Sequence, residues 1–294
     1  MTPAARAGLV LGALGVLAFS FSFPATKLAV EGLDPWLVAF GRASVASLLA
    51  LAYLRATRAP RPARAQVRRL GVVAAGVVVG FPLCSSLALV TAGSAHGAVV
   101  IAVLPAATAL VAVVRGGERP GALFWIAASA GLAVVVAFTL AQSHGALSGA
   151  DGFLLVGTAL CAVGYAEGGA LSRELGGART ICWALVLSLP VTATVTLAAA
   201  ALSVPHDVAA AAWAGFAYVS VVSMFLGFFA WYAGLARGGV ARVGQVQLLQ
   251  PLLTVGWSAL VLGERVGPGT ALVALLVLAC VVATQRARER PAAG

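Results

Sequence analysis

Charge is scarce in this sequence. Charged residues make up 10% of the 294 positions, and Lys27 is the only lysine. Hydrophobic residues make up 61% and the mean hydropathy is +1.02, which is more apolar surface than a soluble core can hide. The net charge of +10 does not indicate nucleic acid, because the arginines lie in short loops between apolar runs and not on one face.

Catalytic and metal-binding patterns are also lacking. The four cysteines lie inside apolar runs without a CxxC pair, and we interpret them as small hydrophobic side chains. The sequence contains no HExxH, no GxSxG and no paired carboxylates. We therefore predict no metal, no cofactor and no enzyme, and an integral-membrane enzyme is the weaker alternative.

What the chain does have is a series of apolar runs long enough to cross a bilayer as helices. They predict an all-α integral membrane protein with ten transmembrane helices. The predicted spans are Gly8–Leu28, Trp36–Leu54, Leu70–Val90, Ala95–Val114, Gly121–Leu140, Gly152–Leu171, Thr180–Leu202, Ala211–Leu235, Val240–Leu262 and Gly269–Thr284.

Two stretches of the chain resemble each other. A shift of 146 positions places Pro251 on Pro105 and Glu264 on Glu118, and both stretches read Pro-x-x-Thr with Glu-Arg further along. We interpret these four residues as a structural motif that marks a duplication. The duplication predicts two five-helix repeats, at residues 8–140 and 152–285.

The arginines predict the orientation of the chain. With the N-terminus inside, sixteen arginines fall on the inner side, six of them in a predicted loop, Arg55–Arg69, and only Arg265 falls outside. The positive-inside rule then places both termini in the cytoplasm. Because five is an odd number, the second repeat is inverted relative to the first, which predicts a shared site near the bilayer midplane and alternating access.

Several motifs resemble one family. They are the segment AFSFSFPATKLAV, the Pro35, Phe40 and Arg42 pattern, the repeated Pro and Glu-Arg element, and FFAWYAGLARGGVARVGQVQLLQP. Together with the repeat and topology they resemble the EamA family of the drug/metabolite transporter superfamily. This resemblance implies secondary transport of small organic metabolites, often export of amino acids or related compounds. The Ala-, Arg- and Gly-rich composition indicates a bacterial protein, and we predict that it lies in the inner membrane.

Lys27, Arg42 and Glu167 are charged side chains within predicted spans or at their ends, and a charge at the bilayer centre costs about 2.5–3.5 kcal/mol on insertion scales. Glu167 is a candidate to bind a cationic group or to titrate during transport; alternatively it only reaches the headgroups. Arg42 is a candidate to bind a substrate carboxylate; alternatively it snorkels outward or pairs with an acidic neighbour. Lys27 is the weakest substrate candidate, because an ion pair or an interfacial anchor explains it better.

Polar and aromatic residues complete the predicted site. Gln247 and Gln250 share one helix face, where they either line a cavity or hydrogen-bond between helices. Tyr165, Trp231 and Tyr232 are candidates for aromatic cavity walls, with an interfacial belt as the alternative for the last two.

The functional hypothesis is a carrier that exports amino acids or related zwitterions, because both Glu167 and Arg42 are present. Efflux of cationic or lipophilic toxic compounds is the alternative. The predicted partners are a small-molecule substrate and the lipid bilayer, without nucleic acid. Proton coupling is a hypothesis beside facilitated diffusion, and the sequence predicts no oligomeric state.

Overall fold

A computed structural model describes residues 3–116, 121–142, 148–203, 206–238, 243 and 245–289. Within these ranges the regular structure consists of helices, without a strand. We number ten helical segments: α1 (Pro3–Ser20 and Ser22–Val30), α2 (Pro35–Ala56), α3 (Arg64–Thr91), α4 (Ser94–Gly116), α5 (Ala122–Gln142), α6 (Gly149–Leu175), α7 (Gly177–Leu202), α8 (Ala210–Gly238), α9 (Gln245–Leu262) and α10 (Pro268–Glu289).

Seven of the described helices are long and apolar enough to cross a membrane, judged by length and composition. They are α1 to α4 and α6 to α8, and α5, α9 and α10 contribute shorter apolar segments. The prediction of an all-helical membrane protein is therefore confirmed. The prediction that all ten segments cross the bilayer remains a prediction.

The structure corrects the expected basic loop at Arg55–Arg69. Helix α2 ends at Ala56 and α3 begins at Arg64, so the last three arginines of this stretch are helical. Arginine is a good helix former, and the side chain of Gln66 accepts a hydrogen bond from the backbone N–H of Ala63 at 3.0 Å, which caps the helix start. We call the end of the bundle where α2 ends and α3 begins the arginine-rich end.

Helices α3 and α6 pack against each other in opposite directions. Near the start of α3, Gln66 Nε2 donates to the carboxylate of Glu174, late in α6, at 3.2 Å. Further along α3, Gly76 faces α6 so closely that an added Cβ would lie 2.3 Å from the carbonyl oxygen of Leu160. Later residues of α3 therefore contact earlier residues of α6, so the two helices are antiparallel.

Helices α2 and α7 are also antiparallel neighbours. Ser44 Oγ lies 3.0 Å from Thr196 Oγ1, and Ser47 Oγ donates to the carbonyl oxygen of Leu185 at 2.8 Å. A later residue on α2 therefore meets an earlier one on α7. These two helices occupy the same place in the two predicted repeats, so the repeats run in opposite directions at this contact.

The packing pattern is symmetric between the two halves of the chain. Helix α1 packs against α8 as α6 packs against α3, while α2 packs against α7, α4 against α9 and α5 against α10. Exchanging each helix for the one five places away in the chain leaves these pairs unchanged. This is the arrangement expected of two five-helix units related by a pseudo-two-fold axis.

Candidate substrate cavity

A cavity lies between helices of both halves of the chain. It holds about 540 Å³ of space when the part open to solvent is included, and its enclosed part has room for only a few water molecules. The aromatic part of its lining consists of Phe19, Phe23, Phe81, Tyr165 and Phe228. The other polar side chains in the lining are Ser22, Thr26, Arg42, Ser85, Ser223 and Gln250.

The helices around the cavity depart from regular α-helical geometry. Helix α3 contains a π-helical segment, Ala74–Gly80, and α8 contains another, Tyr218–Gly227. Helix α4 contains a 3₁₀ turn, Ile101–Val103, and α9 begins with one, Gln245–Leu249. The shift of 146 positions places the irregular segments of α3 and α4 inside those of α8 and α9. The irregular backbone segments therefore follow the same internal duplication as the sequence.

Proline explains three of these irregular segments. Pro82, Pro105 and Pro251 each occupy the second position of the regular helix that follows one. Proline lacks an N–H and clashes with the preceding turn, so the helix before it cannot keep the regular hydrogen-bond pattern. Irregular backbone at membrane depth is tolerated where it is buried in protein or lines a cavity.

Arg42 brings a charge into the cavity lining. Arg42 is 4% exposed. Its Nη1 donates a hydrogen bond to Thr26 Oγ1 at 3.3 Å, and its Nε has no hydrogen-bond partner among the described residues. The described lining contains no carboxylate. Because a buried charge without a counter-charge is unfavourable, Arg42 is suited to bind an anionic group.

Gln250 adds an acceptor to the same cavity. Its Oε1 is buried and has no partner among the described residues. Nearby, the hydroxyls of Ser22 and Ser223 lie 2.6 Å apart and join α1 to α8. The cavity therefore combines an unpaired donor on Arg42 with an unpaired acceptor on Gln250, between aromatic walls.

Glu167 forms ion pairs outside the described cavity lining. It is 1% exposed, and its carboxylate forms ion pairs with Arg69 of α3 and Arg115 of α4. Arg69 Nη1 also donates to Glu174 at 2.6 Å. Glu167 is outside the described cavity lining, so Arg42 and Glu167 do not share one pocket in this conformation.

The remaining polar and aromatic candidates also lie outside the described lining. Trp231 and Tyr232 are 3% and 1% exposed and belong to the core where α8 meets α1 and α6. Gln247 is buried at the start of α9. Lys27 Nζ donates to the carbonyl oxygen of Leu89, near the end of α3, at 3.0 Å.

The repeat motif is described in one copy and in part of the other. Glu264 accepts hydrogen bonds from the backbone N–H groups of Ser94 and Ala95, at 2.7 and 2.8 Å, where α4 begins. Pro105 and Pro251 border a second, small apolar cavity between α4, α9 and α10. Glu118 lies outside the described residues.

Sequence reasoning missed the hydroxyl side chains of the cavity. Ser22 and Thr26 lie four positions apart on α1, so they share a helix face. Ser223, from the π-helical part of α8, meets Ser22. The alternation of phenylalanine and serine before Pro24 was the available signal for this face.

Comparison with known proteins agrees with this architecture. The profile of the EamA-like transporter family matches residues 6–140 and 150–284. "Uncharacterized transporter YdeK" of Bacillus subtilis (strain 168) is 44% identical over 284 residues, which cover 95% of this chain and 97% of that protein. A solved structure described only as "Crystal structure of protein" shares the fold with a TM-score of 0.62 and 19% identity, over 95% of this chain and 96% of that one.

The helices, the paired repeats and the cavity between them define a membrane transport protein. The chain belongs to the EamA-like transporter family, within the drug/metabolite transporter superfamily, as the sequence motifs predicted. Family and relative both point away from an enzyme.

Proposed function

We propose that all ten helical segments cross the bilayer, as two inverted repeats at residues 8–140 and 152–285. The antiparallel packing of α2 with α7 supports the inversion, and so does the pairing pattern that is unchanged when the halves are exchanged. The membrane is the bacterial inner membrane, with both termini and the arginine-rich end in the cytoplasm. Cysteine labelling from each side of the membrane tests this orientation.

The transport mechanism that fits this architecture is alternating access. The cavity lies between the halves and is too small for a metabolite until side chains move. The irregular segments of α3, α4, α8 and α9 give the helices places to bend beside the cavity. Rocking of one half against the other would open the cavity to one side of the membrane at a time.

The cargo is a small metabolite with a carboxylate, in the first place an amino acid or a related zwitterion. Unpaired, buried Arg42 is the observation that supports this proposal, because a guanidinium binds carboxylates in a planar, charge-assisted geometry. The direction is export, which rests on the family resemblance.

The amine of a zwitterion needs a different partner from the one that the sequence indicated. Glu167 is occupied by Arg69 and Arg115. The free acceptor of Gln250 and the aromatic face of Tyr165 line the cavity with Arg42. A hydrogen bond to the first and a cation–π contact with the second would serve an ammonium group.

Efflux of cationic or lipophilic compounds is the second candidate. The aromatic walls favour it, because five rings line the cavity and aromatic faces attract cations and apolar bodies. The charge of Arg42 opposes a cationic cargo, so this candidate predicts that removal of Arg42 increases transport.

Transport in proteoliposomes decides between these candidates. We expect labelled amino acids to be transported, amino acid amides to compete poorly, and Arg42→Gln to weaken apparent affinity about 10- to 100-fold, the value of a lost charge-assisted hydrogen bond. The control is Arg173→Gln, because this exposed arginine of α6 lies outside the described lining. Equal competition by amides and acids, or unchanged affinity in Arg42→Gln, would contradict the carboxylate proposal.

Coupling to protons is tested in the same vesicles. An imposed pH gradient should drive substrate accumulation if protons move with the cargo or against it. Equilibration without accumulation would indicate facilitated diffusion instead.

A further inference from the structure

We propose that two clusters of unlike chemistry are the two gates of this carrier. The ionic cluster consists of Arg69, Arg115 and Glu167, and the aromatic cluster consists of Phe21, Tyr218 and Trp257. This inference rests on the proposed alternating-access function and assigns it to particular side chains.

The ionic cluster ties three helices together at the arginine-rich end. Glu167 of α6 contacts Arg69 of α3 and Arg115 of α4. The carboxylate is 1% exposed, whereas the two arginine side chains are 32% and 49% exposed. The acid therefore sits inside and the two cations cover it from the surface.

The aromatic cluster ties three other helices together. The ring of Phe21, at the turn between the two parts of α1, meets Tyr218 of α8 edge-on at 4.9 Å and Trp257 of α9 edge-on at 5.7 Å. Two hydrogen bonds fix the partner rings on α1: Tyr218 Oη donates to Ala18 O at 3.0 Å, and Trp257 Nε1 donates to Ser20 Oγ at 3.1 Å.

The two clusters lie on equivalent helices of the two repeats and share one equivalent position. Glu167 and Phe21 are 146 positions apart, which is the shift that also superimposes the irregular helical segments. Helices α6, α3 and α4 hold the ionic cluster, and their counterparts α1, α8 and α9 hold the aromatic one. Inverted repeats place equivalent positions toward opposite sides of the membrane.

The chain connections agree that the clusters lie toward opposite ends. Arg69 lies near the start of α3, at the arginine-rich end. Helix α2 ends at the arginine-rich end, so its start lies at the opposite end of the bundle. Only residues 31–34 separate α1 from the start of α2, so the later part of α1, with Phe21, leads to that other end.

Residues close in the chain to a member of each cluster line the cavity. Tyr165 lies two positions before Glu167 and lines it, while Phe19 and Ser22 flank Phe21 and line it as well. In the proposed cycle, a route from the cavity to the arginine-rich end would pass the ionic cluster, and a route to the other end would pass the aromatic cluster. Opening either route requires its three helices to separate there.

The difference in chemistry gives the gates different properties. Separating α4 from α6 leaves the buried carboxylate without Arg115, which becomes tolerable once water reaches Glu167. Separating α1 from α8 and α9 breaks ring contacts and two neutral hydrogen bonds instead. Neutralising Glu167 should therefore favour opening at the arginine-rich end, and truncating Phe21 should favour opening at the other end.

A cysteine in the cavity reports both openings. Cys161 lines the cavity, and Cys84, Cys182 and Cys280 can be replaced by alanine to leave it as the reporter. Intact cells and inverted membrane vesicles then expose opposite sides to a charged methanethiosulfonate. A cysteine at the exposed position of Arg61, in a separate variant, establishes which preparation exposes the arginine-rich end.

Glu167→Gln should increase labelling of Cys161 from the arginine-rich end by about three- to tenfold and reduce it from the other end, because a lost restraint shifts a two-state equilibrium. Phe21→Ala should have the reverse effect. The matched control is Glu174→Gln, which removes the same charge from the same helix and from a partner of Arg69 at an exposed position. It should change labelling much less.

Arg115→Gln provides a second variant if Glu167→Gln does not yield monodisperse protein, because Arg115 is half exposed and its loss leaves Arg69 on Glu167. It should also increase labelling from the arginine-rich end. Unchanged or side-independent labelling in folded Arg115→Gln and Phe21→Ala protein would overturn the inference. Labelling needs no substrate, so it tests the gates separately from the cargo. If labelling changes as expected but no carboxylate is transported, the proposed cargo is wrong and the assignment of the gates still holds.

Discussion

Arg42 and Glu167 are both buried charges, and their surroundings differ in kind. Glu167 touches two arginines from two other helices, whereas the one described hydrogen bond of Arg42 goes to the hydroxyl of Thr26. A buried charge with good partners holds helices together, and a buried charge without one is an energetic burden. The comparison teaches that the unpaired charge is the better candidate for binding a substrate.

The largest expected effect comes from breaking the paired charge. Glu167→Gln should lower the free energy of unfolding by about 2–4 kcal/mol, because the arginine partners lose a buried counter-charge but remain partly hydrated. Thermal unfolding in detergent measures the change. Glu174→Gln, at an exposed position on the same helix, should cost much less, and equal losses in the two variants would show that burial is irrelevant here.

The next effect concerns the close contact between α3 and α6. Gly76→Ala should cost about 1–3 kcal/mol as overpacking, because the added Cβ would lie 2.3 Å from the Leu160 carbonyl oxygen. The control is Gly71→Ala on the same helix, where nothing lies within 4 Å and alanine favours the helix. Unfolding temperatures that fall equally in both variants would contradict this close contact.

Removing the unpaired charge should leave stability nearly unchanged. Arg42→Met should lower the free energy of unfolding by no more than about 1 kcal/mol. The variant can even be more stable than the original protein, because the substitution removes an uncompensated charge from the interior. The same unfolding assay without substrate measures this. A loss as large as that of Glu167→Gln would mean that Arg42 is structurally paired, and the comparison would fail.

The smallest effect is expected at the third charge. Lys27 donates to the carbonyl of Leu89 close to the end of α3, where a cation interacts favourably with the helix dipole. Lys27→Met should cost about 0.5 kcal/mol, the low end for a single hydrogen bond. An unfolding temperature that falls as far as in Gly76→Ala would show that this ammonium is a main support of the bundle.

The class of fold was predictable from short-range features of the sequence. Apolar runs give helices because lipid leaves the backbone no other partner than itself. The shift of 146 positions, read from Pro105 and Pro251 and two acidic residues, also relates the π-helical and 3₁₀ segments that border the cavity. Proline acts on its own turn of helix, so the sequence reports it directly.

The candidate site was predictable only in part. Arg42, Tyr165 and Gln250 line one cavity, but Glu167, which looked equally polar in an equally apolar helix, does not belong to the described lining. Its partners lie on α3 and α4, about 100 and 50 positions earlier in the chain respectively. No local pattern on α6 indicates which arginines would reach it.

Apolar length, proline position, arginine distribution and the repeated motif were enough to assign a helical membrane carrier of two related halves, because each acts within one helix or one loop. The pairing of buried charges was decided by packing between helices far apart in the chain, since an ion pair depends on distances of a few ångströms. For that reason Glu167 and Arg42 have similar sequence signals and different surroundings.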